Sequence, residues 1–116
     1  IFIVVGSVAF TAWDLFLDPQ MVSWRLWIWE PVTERRRHYF GIPWSNYLGW
    51  FLVSALITWL TSPYALPWEE VRPVLLGIYG LTCALETVGQ LVFWRLPGPA
   101  LAGAAGMGLC LMWALI

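Results

Sequence analysis

The chemistry open to this chain starts with carboxylates set among apolar residues. Ser7, Thr11, Asp14 and Asp18 follow one another at intervals of 4, 3 and 4, so a helix places all of them on one face. Tyr79, Thr82, Glu86 and Gln90, at intervals of 3, 4 and 4, form a second such stripe. An ionised carboxylate at the centre of a bilayer costs roughly 2.5–3.5 kcal/mol even on the lenient insertion scale. Such a group therefore pairs with a cation or carries its proton, and a neutral carboxylic acid in an apolar site is a proton donor. Glu86 has no Arg within two helical turns in sequence and sits midway along its apolar run. A single His cannot build a His-rich di-iron or zinc site, and no metal ligand set is expected. No glycine fingerprint follows a strand to hold a dinucleotide. What remains is acid–base chemistry on an apolar substrate, without a cofactor, or no chemistry at all.

Structural roles compete for the same residues. Asp18, next to Pro19, also reads as a solvated helix-boundary cap, and Asp14 as one half of an ion pair with an Arg of another helix. Glu86 and Gln90 also read as glue between helices. His38, beside Arg35, Arg36 and Arg37, reads as a solvated loop residue. Cys83 and Cys110 each stand alone in apolar sequence and read as buried free thiols.

The elements that must carry these residues are membrane helices. Of 116 residues 60% are hydrophobic and 11% charged, about half the charge of a soluble domain, and Lys is absent. The sequence predicts an all-α, polytopic transmembrane helical bundle, one integral membrane domain with spans at about 1–17, 46–61, 73–94 and 99–116. Asp18-Pro19 is expected to close the first span, and Pro73 to open the third from its first turn. Both chain ends, Ile1-Phe2-Ile3 and Leu115-Ile116, are apolar, which predicts a piece of a longer protein. The first span lacks the basic start and small-residue cleavage site of a signal peptide.

The 19–45 connection carries Arg25, Arg35, Arg36 and Arg37. With Arg95 this makes five arginines on one side against Arg72 alone on the other. That bias orients the 19–45 connection to the cytoplasm of a prokaryotic membrane. Trp24, Leu26, Trp27, Ile28 and Trp29, leading to Glu30, suit a segment lying among headgroups. Ser45 or Asn46 is expected to cap the second helix, which carries a weaker polar line through Tyr47, Trp50, Ser54, Thr58 and Thr61. In the fourth span Gly98, Ala102, Gly106 and Cys110 recur every four residues as a close-packing seam. No basic stripe exists to bind nucleic acid; the partners implied are the lipid bilayer and an apolar molecule.

Two blocks carry a family resemblance. One is Thr11-Ala12-Trp13-Asp14-Leu15-Phe16-Leu17-Asp18-Pro19-Gln20-Met21-Val22 followed by Trp27-Ile28-Trp29-Glu30. The other is Tyr39-Phe40-Gly41-Ile42-Pro43-Trp44-Ser45-Asn46-Tyr47-Leu48-Gly49-Trp50-Phe51. Across residues 11–51 the chain resembles the membrane carotenoid-biosynthesis family that contains γ-carotene 1′,2′-hydratase and bisanhydrobacterioruberin hydratase.

The resemblance implies hydration of the terminal C=C of an acyclic carotenoid ψ end group. That lyase-type reaction needs an acid, a stabilised tertiary cation and a positioned water. Asp14 is then the expected acid, with Asp18 or Glu86 holding the water. Trp13, Trp27, Trp29, Glu30, Tyr39, Phe40, Asn46, Trp50 and Gln90 are the expected substrate-side residues, with aromatic faces available to a cation. Other carotenoid-pathway membrane enzymes are candidate partners. Two other functions fit the same residues: a non-enzymatic carotenoid-binding or assembly module whose acids only fix helix pairing, and a proton-coupled transporter.

Overall fold

A computed structural model describes residues 1–29 and 38–116. Helix α1 spans Phe2–Ser23, α2 Trp44–Thr61, α3 Trp68–Val88 and α4 Pro97–Leu115. A two-stranded hairpin, β1 (His38–Tyr39) and β2 (Ile42–Pro43), leads directly into α2. Among the described residues three helices are long and apolar enough to cross a membrane: α1, α4, and α3 together with the π-helical turn Gly89–Phe93 that continues it. The chain is an all-α bundle apart from the small hairpin. Helix α2 is shorter, and its first turn carries the polar residues Ser45, Asn46 and Tyr47.

Helix α1 lies between α2 and α4, and α3 packs mainly on α4. Most large apolar side chains of α2 and α3 face outward, among them Leu52, Leu56, Ile78, Leu81 and Leu85. That is the expected arrangement when the surroundings are lipid. The centre is small: Ala12, Phe16 and Met107, with Trp13, Tyr79, Cys83, Ala104 and Cys110 packed around them. The α4 glycines make it possible. A Cβ on Gly103 would lie 2.5 Å from the Phe16 ring, and one on Gly106 would lie 3.1 Å from Leu15. The expected seam is used at Gly98 and Gly106, but the tightest approach to α1 is at Gly103, outside the four-residue repeat.

Two helix boundaries differ from the sequence expectation. Helix α1 does not stop at Asp18-Pro19; Pro19 lies inside it and the helix runs on to Ser23. Proline lacks an N–H, so the carbonyl of Leu15 loses its helical partner. The Tyr39 hydroxyl donates to that carbonyl at 3.0 Å, and this replacement lets the helix continue. The helix then ends with Arg25 in the left-handed region (φ 57), its N–H donating to Val22 O while that of Leu26 donates to Met21 O. Helix α3 begins at Trp68, which puts Pro73 in its interior and Glu69 and Glu70 in its first turn, where acidic groups suit the helix dipole. Arg72 reaches from this end to the last turn of α4, its Nη2 donating to Ala114 O at 2.9 Å.

Candidate functional site

Asp14 and Asp18 stand one turn apart on α1 and are 2% and 0% exposed. Their carboxyls lie close enough to interact with each other. The Nδ2 of Asn46, in the first turn of α2, donates to Asp18 Oδ2. Neither Ser45 nor Asn46 caps α2; the N-cap position is Pro43 and Asn46 is turned to Asp18 instead. The buried Asp18 oxygen takes that amide donor in place of the helix end. Tyr47, the next residue, stands beside both carboxyls, with its ring buried. Asp14 Oδ2, Asp18 Oδ1 and the Tyr47 hydroxyl are buried without a hydrogen-bond partner among the described residues. The buried pair thus has polar capacity left over, which a water or a proton can take up.

The hairpin sets the Tyr39 ring against Tyr47, the neighbour of the pair. Phe40 (φ 47) and Gly41 (φ 85) both adopt positive φ, the conformation of a tight primed turn. The turn returns the chain at once, so that Tyr39 pairs with Ile42. The Tyr39 ring lies 5.7 Å from Tyr47 and 5.6 Å from Trp44. Burial pushes the Tyr39 phenol from 10.0 up to about 12, so it remains a neutral donor to Leu15 O at physiological pH. Phe40 seats on Gly98 of α4, where any Cβ would strike its ring.

The other expected site residues fall elsewhere. Trp50 meets Phe10 at 5.9 Å, further along the α1–α2 seam. Trp13 lines an apolar groove of about 840 Å³ between α1, α3 and α4. Trp27 and Trp29 line a separate recess with Arg25 and Gly41. Glu30 lies outside the described residues, as do Arg35, Arg36 and Arg37.

The α3 stripe does face α1, but it meets backbone there. Tyr79 Oη donates to Ala9 O at 2.7 Å and Gln90 Nε2 to Phe16 O at 2.8 Å. Phe16 points about 160–200° away from the two aspartates around the helix axis, at 100° per residue. Glu86, beside Gln90, therefore belongs to the other side of α1, apart from Asp14 and Asp18. Of the expected residues, the structure brings together Asp14, Asp18, Asn46 and Tyr39. Sequence reasoning missed Tyr47 as a site residue, although it stood on the polar line of α2 beside Asn46. It also missed Gln20, buried and one turn beyond Phe16.

Among known proteins, the family described as carotenoid biosynthesis protein matches residues 1–113, well beyond the two blocks at residues 11–51. No curated protein and no solved structure matches the chain. A match over nearly the whole length, with the aspartate pair inside it, places this chain in the carotenoid biosynthesis protein family.

Proposed function

We propose that the chain hydrates the terminal double bond of an acyclic carotenoid end group, with Asp14 as the acid and Asp18 as the base. The observation that carries this reading is the buried Asp14–Asp18 pair with Asn46 bound to only one of its members. Two adjacent buried carboxyls cannot comfortably both ionise, so the pair shares a proton. An amide N–H donated to a carboxylate supports its negative charge, which favours Asp18 as the ionised member and leaves the proton on Asp14.

In the step itself, Asp14 protonates the less substituted alkene carbon, and the π electrons form the new C–H bond. The tertiary cation that results is held beside the faces of Tyr47 and Tyr39. A water oxygen bonds to the cationic carbon and its extra proton passes to Asp18. One alkene and one water give one tertiary alcohol, and the reaction is redox-neutral. Transfer of that proton from Asp18 to Asp14, within the pair, resets the site.

The test is pigment analysis in cells that make lycopene or γ-carotene and express the protein. The expected result is a hydroxylated product that disappears with Asp14→Asn while protein level holds. Normal hydroxylated product from Asp14→Asn would remove Asp14 from the acid role. Unchanged pigment with the unmutated protein would overturn the hydration reading.

A further inference from the structure

Helices α1 and α3 both pack on α4 but have little contact with each other. The space between them is the apolar groove of about 840 Å³, lined by all three helices. Tyr79 ties the two walls together, donating to Ala9 O at 2.7 Å, and both residues line the groove. Arg72 marks one end. Its Nη2 donates to Ala114 O at 2.9 Å and so holds the first turns of α3 level with the last turn of α4. Trp68 and Trp113, both partly exposed, line that end together with Ile1 and Phe2. Tryptophans at helix ends mark the headgroup level of a membrane protein.

Trp13, Thr82 and Met107 line the other end. At about 1.5 Å per residue, Thr82 lies about 15 Å along α3 from Arg72, half of a hydrocarbon core about 30 Å thick. The groove thus runs the depth of one leaflet, from headgroup level to mid-membrane. Arg72 is the one charged residue among those lining it. Its side chain is half-buried, and Ala114 O takes one of the five N–H donors of the guanidinium. No carboxylate among the described residues forms an ion pair with it; Glu69 and Glu70, in the first turn of α3, are exposed. A half-buried guanidinium at the mouth of an apolar groove suits an anion joined to a hydrocarbon chain. A neutral polyene would fill the groove and leave the guanidinium without a counter-charge. A phosphodiester is charged at every physiological pH, and on a phospholipid it sits at headgroup level above acyl chains one leaflet deep.

We infer that the groove holds a phospholipid of the leaflet on the Arg72 side, its phosphate on the Arg72 guanidinium and one acyl chain between α1, α3 and α4. The remaining N–H groups of the planar fork can bond two phosphate oxygens at once. The groove volume is in the range of ordinary small-molecule sites. Neither Asp14 nor Asp18 lines the groove, so the site stands independently of the hydration reading.

The test is native mass spectrometry of the protein in detergent micelles, titrated with palmitoyl-oleoyl phosphatidylglycerol or with diacylglycerol bearing the same chains. One charge-assisted hydrogen bond predicts that the first phosphatidylglycerol binds at least about tenfold more tightly than the first diacylglycerol. Arg72→Gln should bring the two lipids to within about threefold of each other. Val5→Trp, which puts a large ring at a lining position and leaves Arg72 in place, should abolish tight binding of the first lipid of either kind. Melting temperatures check the fold of both variants, and the comparison on the unmutated protein stands without them. Equal affinity of the two lipids for the unmutated protein would overturn the proposal. A preference that survives Arg72→Gln would overturn it too, and binding unchanged in a folded Val5→Trp would move the lipid to the outer surface. Displacement of phosphatidylglycerol by equimolar palmitate would give the groove to a free fatty acid instead and overturn the phospholipid assignment.

Discussion

Pro19 and Tyr39 offer a direct test of how the aspartate turn is held. The hydroxyl of Tyr39 binds the carbonyl that Pro19 leaves without a partner. Tyr39→Phe removes one O–H and keeps the ring against Tyr47 and Trp44. A buried carbonyl left unpaired costs about 1–3 kcal/mol; because Tyr39 is only half buried, the lower part of that range, about 1–1.5 kcal/mol, applies. Pro19→Ala restores an N–H four residues after Leu15 and should close the helix on itself. In that background Tyr39→Phe should cost less than about 0.5 kcal/mol, the scatter of independent sites. The coupling between the two positions is then about 1 kcal/mol, roughly a fivefold change in the folding equilibrium. It would be measured as a double-mutant cycle in mixed micelles, following loss of helix by circular dichroism against denaturing detergent. If Tyr39→Phe costs the same in both backgrounds, the hydroxyl is not there to serve the proline-opened carbonyl.

The other predictions concern packing, the aspartate pair and pH. Gly103→Ala forces the buried Phe16 ring to move and should lower stability by about 1–3 kcal/mol, whereas Gly108→Ala, with open space at its Cβ, should change it little. Asn46→Ala strips Asp18 of its donor and should cost about 1–3 kcal/mol in the same detergent titration. It should also lower hydroxylated product per molecule in the pigment assay, and full product would show that Asn46 does not support the base. Tyr39 binds its proton more tightly folded than unfolded, so stability should be flat below pH 10 and fall between about 10 and 12. The Tyr39→Phe variant should lack that portion of the fall, and absorbance at the phenolate band should show one tyrosine fewer titrating there.

The helices and the pairing of Asp14 with Asp18 were legible because both follow from periodicity: long apolar runs and a four-residue interval. The end of α1 was not. Pro19 stops a helix on local grounds, and only a hydroxyl from residue 39, brought in by a turn, reverses that. The start of α3 was readable in part, since Glu69 and Glu70 mark an N-terminal turn five residues before the proline could. The two polar stripes were visible, yet their partners were not. Which side of α1 meets α2 and which meets α3 depends on rotation about the helix axis, and that is fixed by packing such as Phe16 on Gly103. For the same reason Asn46 could be seen as a polar residue at a helix start, but not as the donor to Asp18.

The clamps on α1 also imply an order of events during synthesis. The carbonyls of Leu15 and Phe16 are served by Tyr39 and Gln90, which follow 24 and 74 residues later. When α1 first enters the bilayer neither donor has left the ribosome, so the turn bearing both aspartates begins with an open carbonyl in hydrocarbon. The hairpin arrives first and closes one side; the other waits until all of α3 has been made. The aspartate turn is therefore finished only after α3 has been made, long after its own residues were translated.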